Sequence, residues 1–383
     1  MVDELDGDPH RLLARLRAQA PVGWLPALGG WLVTGYAAAT EVLLDPATFT
    51  VDDPRFTTAR VTGPSMLSLD GAEHSRHRAP FAHGLRSAET ARRLGDFTRA
   101  EASRLVEAIK PAGAAELRQV FAGPLAAAVM AEALGLAAVG IAPAVVLAWY
   151  REIVTAVAEL APSAAAGQTE SVASFGELAA GLRAAIASGQ APLLSQAARN
   201  GTLSDDEVVS NAAVALFGGI ETTEGMICNA VFCLGSQPGA FQIVAEDLDL
   251  VPGAVEESLR MEPAAAVVDR YATREVEVAG VAIARRDLVR VSITAANRDP
   301  AAFADPDRFD LWRPDATRHL AFARGPHFCI GAHLARLETV TAVVTLVSRL
   351  PSLRLDPDHP AQVRGLVFRK PADLRVRWDP VSE

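Results

Sequence analysis

The sequence predicts a predominantly α chain with a minor β region, folded as a single domain over residues 1–383. Three observations carry this. Helical patterning runs almost unbroken from His74 to about Gly235. Strand-like alternation is concentrated in Val267–Ile293, with shorter pieces near both ends. Half of the residues are hydrophobic and 21% are charged, enough apolar surface for a large core and too much for general disorder.

Taken in order, a helix is expected over Pro9–Ala20. Short strands follow around Trp24 and Trp31–Thr34, then a helix over Tyr36–Leu44. Asp52–Leu69 holds Pro54, Gly63 and Pro64 without a clean period and reads as a long loop. The helical stretch from His74 should break at Pro111–Gly113, Pro143, Pro162 and Pro192. Its clearest helix starts after Ser204, an N-cap residue with Glu207 three positions on, and runs some thirty residues to about Leu234. A helix after Pro252 ends in Glu257-Ser258-Leu259-Arg260. Val267–Val278 and Val281–Ile293 read as two strands around an Ala279-Gly280 turn. Arg298–Pro314 is rich in turns. A helix over Ala332–Leu350 and short strands over Ser352–Trp378 complete the chain.

Composition excludes several classes of function. With a net charge of −10, a large nucleic-acid surface is not expected. Of the 36 basic residues only Lys110 and Lys370 are lysines. Cys228, Cys233 and Cys329 are too few for a disulfide framework, which suits reducing cytosol. The acidic start, Met1-Val2-Asp3-Glu4, does not resemble a signal peptide. Ala122–Tyr150 imitates a membrane span. It is mostly Ala, Gly and Val, however, and it carries Glu132, Pro124 and Pro143, so it is expected as buried helices with no membrane role.

The most informative stretch is Phe322-Ala323-Arg324-Gly325-Pro326-His327-Phe328-Cys329-Ile330-Gly331. A cysteine between glycines, just before a helix, meets partial positive charge and open N–H groups that favour thiolate. Three readings stay open on these residues: an inert cysteine, a zinc site using His327 and His333, and a haem thiolate. Zinc wants four ligands, and no second cluster is evident in the sequence. A second stretch, Phe217-Gly218-Gly219-Ile220-Glu221-Thr222, sets two glycines and an acid inside the best helix. Such breaks of a local rule mark either a tight helix crossing or a functional site.

In combination these motifs resemble the cytochrome P-450 haem-thiolate monooxygenases of the soluble bacterial kind, over nearly the whole chain. The Phe322–Gly331 stretch is similar to that family's haem-binding loop, with Cys329 as axial iron ligand. Glu257-Ser258-Leu259-Arg260 is similar to its Glu-x-x-Arg helix, and Gly218–Thr222 to its oxygen-activating segment. His74–Arg78, Arg270 and Asn297-Arg298-Asp299-Pro300 also match. One departure is Ala323, where the family has glycine or a small polar residue.

The resemblance implies the triangular helical fold with small sheets, and haem b between the long helix and the helix after Cys329. It implies Glu221 and Thr222 as the proton-delivering pair, and His74, Arg78, Arg270 and His327 as partners of the haem carboxylates. It also implies a buried Glu257–Arg260 network joined by Arg313. One oxygen atom would enter a small organic substrate, with electrons from NAD(P)H through a ferredoxin and its reductase, in a cytoplasmic monomer. Alternatives on the same fold are oxidative coupling, peroxide-driven oxidation or a non-catalytic haem sensor. Arg76, Arg86, Arg92, Arg93, Arg324 and Arg336 are candidates for the face where electrons enter. A largely apolar substrate pocket is expected from residues 56–69, 213–218, 264–268 and 366–368.

Overall fold

The structure is a computed structural model that describes residues 1–86, 88–159, 168–199 and 201–379. Chain contacts group residues 1–50, 99–122 and 222–383 into one compact unit, and residues 51–98 and 123–221 into a second.

The first unit carries the sheets. Its main sheet has the order β1 (Val22–Leu25), β2 (Gly30–Val33), β8 (Leu288–Ser292), β5 (Val267–Ala272), β3 (Phe49–Thr50). β2 runs parallel to β8 and the other pairs are antiparallel. Alternation sorts its faces. Val33, Val289 and Val291 join a buried cluster with Val42 and Leu43 of α3 (Tyr36–Leu44). Leu32 instead meets Leu5 of α1 (Val2–Asp6) and Leu12 and Leu13 of α2 (His10–Gln19). A three-stranded sheet joins β4 (Ala114–Glu116), β12 (Arg375–Arg377) and β9 (Arg354–Leu355). Two hairpins, β6 (Val276–Val278) with β7 (Val281–Ile283) and β10 (Val363–Arg364) with β11 (Lys370–Pro371), complete the β part. Helices α12 (Ala240–Glu246), α13 (Val251–Met261), α14 (Ile293–Ala296) and α15 (Ala332–Arg349) belong here too.

The second unit is helical: α4 (Thr57–Thr62), α5 (Gly71–Arg86), α7 (Gly123–Ala133), α8 (Pro143–Glu159), α9 (Gln168–Ser188) and α10 (Pro192–Arg199). Helices α6 (Ala88–Ile109) and α11 (Asp205–Gly235) run through both groupings.

Most expected elements stand where the residues place them. The N-cap of α11 is a reciprocal box: Glu207 N donates to Ser204 Oγ at 3.3 Å, and Ser204 N donates to Glu207 Oε2 at 2.8 Å. Pro143 and Pro192 are the first residues of their helices, where a missing N–H costs nothing. The break expected at Pro162 lies outside the described residues. In the apolar stretch that imitated a span, Leu125 to Ala131 are buried and Glu132 pairs with Arg93. No single helix among the described residues is long and apolar enough to cross a membrane.

Three expectations change. The loop over Asp52–Leu69 contains α4, whose six residues carry too short a pattern to read. The segments Val267–Val278 and Val281–Ile293 each divide into two strands. In the second segment the turn is held by Asp287, which accepts from Ala284 N at 3.1 Å and from Trp31 Nε1 at 2.8 Å, next to Arg286 at φ 73°. Finally α1, β4 and α12 are short elements without a sequence signal of their own.

Candidate active site

Cys329 closes a tight loop in the first unit. Its N–H donates to Phe322 O at 2.9 Å, and Phe328 N donates to Gly325 O at 3.0 Å. Gly325 has φ 68°, and a Cβ there would stand 2.7 Å from Leu43 O, so only glycine fits. Gly331 is the N-cap of α15 and has open space where a Cβ would be. Cys329 is half-buried, whereas Cys228 and Cys233 are fully buried, with thiols that burial pushes well above the ordinary range. Cys329 is thus the cysteine whose surroundings suit a ligand. The Arg336 guanidinium lies over the Phe322 ring, 4.4 Å from its centre. His327 ends the short 3₁₀ turn before Cys329.

On α11, Gly218 and Gly219 differ. A Cβ on Gly219 would lie 2.3 Å from Met130 Sδ of α7, so this glycine serves a helix crossing. A Cβ on Gly218 would meet nothing within 4 Å. The close approach to α7 thus accounts for Gly219 and not for Gly218. Glu221 is 5% exposed and so is not a solvated surface acid, and Thr222 follows it on the same helix.

A family model, Cytochrome P-450, matches residues 186–364. The cytochrome P-450 monooxygenase PikC of Streptomyces venezuelae is 33% identical over 97% of this chain and 91% of its own length. The 6-deoxyerythronolide B hydroxylase of Saccharopolyspora erythraea is 33% identical over 98% of each. The chain belongs to the cytochrome P-450 family. Among solved structures, the P-450 CYP109Q5 from Chondromyces apiculatus superposes with a TM-score of 0.87 at 29% identity, over 100% of this chain and 98% of that one.

As a P-450 the chain is an oxidoreductase, a haem-iron monooxygenase that acts on small molecules with the help of redox partners. The donor set agrees with haem iron. Among the described residues no group of three or more His, Cys, Asp or Glu comes together to hold a metal ion, so the zinc reading lacks its ligands.

The other site candidates divide between the units. In the second unit, His74 (buried) and Arg78 (half-buried) stand four residues apart on α5 and share a helix face. In the first, Arg270 is 5% exposed on β5 and donates to Asp269 O at 2.8 Å. Asp269 faces Arg290 across the strands at 3.4 Å. Burial pushes its carboxyl up against the opposing pull of Arg290 and Arg270.

The P-450 Glu-x-x-Arg network is complete. Arg260 and Glu257 have no exposed side-chain surface. Arg260 donates to both Glu257 oxygens at 2.8 Å, and to Asn297 O, Pro306 O and Arg308 O. Arg313 Nε reaches Glu257 Oε1 at 2.9 Å.

Several of the candidate electron-entry arginines are paired with acids. Arg336 forks onto Glu256 at 2.6 and 3.0 Å. Burial alone would raise the Glu256 carboxyl, but His319 and Arg336 outweigh it and hold it down at about 2. Arg76 is taken up by Glu73 and Glu207, and Arg93 by Glu132. Arg92 is exposed, Arg324 donates to Arg318 O, and the Arg86 side chain lies outside the description.

Two buried acids escaped the sequence reading. Glu224, one turn after Glu221, accepts from Arg118 at 2.6 Å and lies 2.9 Å from Lys370 Nζ. Glu338 is 1% exposed on α15, and its Oε2 has no hydrogen-bond partner among the described residues. Burial raises its carboxyl well above the ordinary range. Its signal was present: Ala332, Ala335, Glu338 and Ala342 fall on one helical stripe.

Proposed function

We propose that this P-450 inserts one oxygen atom from dioxygen into a largely apolar small organic substrate, with haem b held through Cys329. The observation that supports it most is Cys329 itself, half-buried at the start of α15 in a loop that requires Gly325. When bound, the haem iron supplies the activation of dioxygen, and a thiolate ligand favours O–O cleavage.

The chain's own residues set the conditions. Cys329, at a helix start, is favoured as thiolate. Arg270 and His327, together with His74 and Arg78, are assigned to the haem carboxylates. A buried arginine such as Arg270 suits an anionic partner, and its planar fork matches a carboxylate. Glu221 and Thr222 are assigned to holding and passing a proton, the acid supplying it and the hydroxyl both accepting and donating. Such a pair argues for dioxygen over peroxide, which needs no relay. Electrons are assigned to NAD(P)H through a ferredoxin and its reductase, and the protein to a monomer. The substrate is expected to meet residues such as Met66, Phe217, Val267 and Val367, which are mostly apolar and hold it by shape. The words hydroxylase and N-oxygenase in relatives' names fit this class of reaction.

The test is spectroscopic. The purified protein, reduced and exposed to CO, should show the strongly red-shifted Soret band of a thiolate-bound haem, and Cys329→Ser should lose it. A Cys329→Ser variant that keeps the band overturns the assignment, as does metal analysis finding zinc and no iron.

A further inference from the structure

In the first unit, one buried arginine ties α1 and Gly7 to the turn between β10 and β11. Arg369 is 2% exposed. Its Nη1 donates to Asp6 O at 3.2 Å and to Gly365 O at 3.0 Å. Its Nη2 donates to Gly7 O at 3.0 Å and to Val363 O at 3.2 Å. Each nitrogen thus joins residues 5–7 to residues 363–365. Glu262 Oε2, 3.6 Å from Arg369 Nε, answers the charge. Only arginine carries its donors in a rigid fork that can bridge two segments this way. The backbone adds a direct tie, Gly365 N donating to Asp6 O at 2.8 Å. Leu5, 4% exposed, anchors α1 in an apolar cluster with Leu12, Leu13 and Leu32.

The turn needs such ties. β10 and β11 pair only Val363 with Pro371 and Arg364 with Lys370, and a hairpin that short does not hold its shape alone. Gly365 has φ 120°, and a Cβ there would stand 1.8 Å from Phe368 O, so the chain doubles back where only glycine fits. On the other side of the turn, Ala266 N donates to Val367 O at 2.8 Å and Arg369 N to Ala264 O at 2.9 Å, and Ala265 bridges Phe368. Residues 5–7, 363–369 and 264–266 therefore form one hydrogen-bonded layer, with the turn in the middle.

We propose that α1 and Gly7 are a brace that sets substrate selectivity from outside the pocket, with Arg369 as the positioning residue. This rests on the reading above in which residues 264–268 and 366–368 meet substrate. With the brace seated, the turn holds Val367 in one place. A ligand large enough to reach it meets a fixed apolar wall and has less to order on binding. A small ligand that stops short of the turn is indifferent to the brace. The brace thus favours bulky substrates without touching them.

The experiment uses the haem-loaded protein and two azoles that ligate iron, imidazole and the much larger econazole, with binding read from the Soret shift. Leu5→Glu unseats α1 and changes nothing in the turn. It should weaken econazole about tenfold and leave imidazole unchanged. Leu5→Met should bind both like wild type. Hydrogen exchange over residues 363–369 should accelerate in Leu5→Glu, because Gly365 N–H loses its acceptor. If Leu5→Glu does not fold, Arg369→Lys replaces it: the charge opposite Glu262 stays, one ammonium cannot bridge both segments, and the same selective loss of econazole is expected. Unchanged exchange over 363–369, or equal losses for the two azoles, overturns the proposal. Val367→Trp separates it from the pocket assignment. If Val367→Trp alters econazole affinity and Leu5→Glu does not, the brace alone is wrong. If neither alters it, the pocket assignment is wrong and the brace's role falls with it.

Discussion

The Glu257–Arg260 network and the Phe217–Thr222 stretch of α11 both place charged or conformationally costly residues where apolar ones would pack, yet they differ in what surrounds them. Every donor of Arg260 is matched and both Glu257 oxygens are shared among fixed donors. Beside Gly218, by contrast, a Cβ would meet nothing. A site with all its partners built in has no role left except to hold the fold. Beside Gly218 a larger side chain has room, so a change there should not strain the fold. The two regions should therefore fail differently when changed.

The largest effect is expected in the network. Glu257→Ala leaves Arg260 and Arg313 charged, with Arg260 fully buried and its partner lost, a change that costs roughly 3–5 kcal/mol. Thermal melting and haem content should both fall together. If Glu257→Ala melts like wild type and still loads haem, the network is not what fixes this part of the fold. On the other side of the comparison, Thr222→Ala should leave the melting temperature nearly unchanged. It should divert reducing equivalents from NAD(P)H into hydrogen peroxide, with product formation down by about 10²–10⁴. Unchanged coupling would remove Thr222 from proton delivery.

Glu338 sharpens the comparison because it is buried like Glu257, yet its Oε2 has no hydrogen-bond partner among the described residues. Its folded-state pKa lies above the unfolded value of 4.5, so the folded state binds the proton more tightly. The sign follows from linkage. The stabilising proton is present below about pH 4.5 and its benefit is lost as pH rises above that value, at up to about 1.4 kcal/mol per pH unit. Glu338→Gln keeps the shape without the charge. Its melting temperature should gain on wild type steadily from pH 5 upward. Parallel pH profiles for the two proteins would mean that Glu338 has a partner that keeps it ionised.

The same contrast explains what the sequence could reveal. Glu257-Ser258-Leu259-Arg260, the Ser204 cap and the Cys329 loop are local patterns, so their chemistry is written within ten residues. Glu224 depends on Arg118 and Lys370, over a hundred positions away in each direction, and no local pattern announces that meeting. The charge of Arg76, Arg93 and Arg336 was legible, but its neutralisation by Glu207, Glu132 and Glu256 was not. The roles of the two glycines separated only once Met130 was seen against one of them. That separation makes a paired prediction. Gly219→Ala forces the flexible Met130 thioether aside, which cancels the propensity gain of alanine and leaves a net cost of no more than about 1 kcal/mol. Gly218→Ala should gain up to about 1 kcal/mol from helix propensity, and lose affinity for bulky substrates. Equal melting temperatures for the two variants would show that Met130 yields freely.

The smallest effect concerns Ala323, where the chain departs from its family. Its φ is 57°, in the left-handed region where a side chain is strained by about 1–2 kcal/mol. The loop nonetheless keeps its closing bonds, Ala323 N to Leu320 O at 2.8 Å and Cys329 N to Phe322 O at 2.9 Å. The strain is therefore carried by one residue without opening the loop. Ala323→Gly relieves it, but glycine also gives the unfolded chain more freedom, which returns part of the gain. The net stabilisation should be about 0.5–1 kcal/mol, seen as a melting temperature a few degrees higher with the CO-bound Soret position unchanged. A destabilised Ala323→Gly would mean that the methyl group packs well enough, against the half-buried surroundings of the loop, to outweigh its backbone strain.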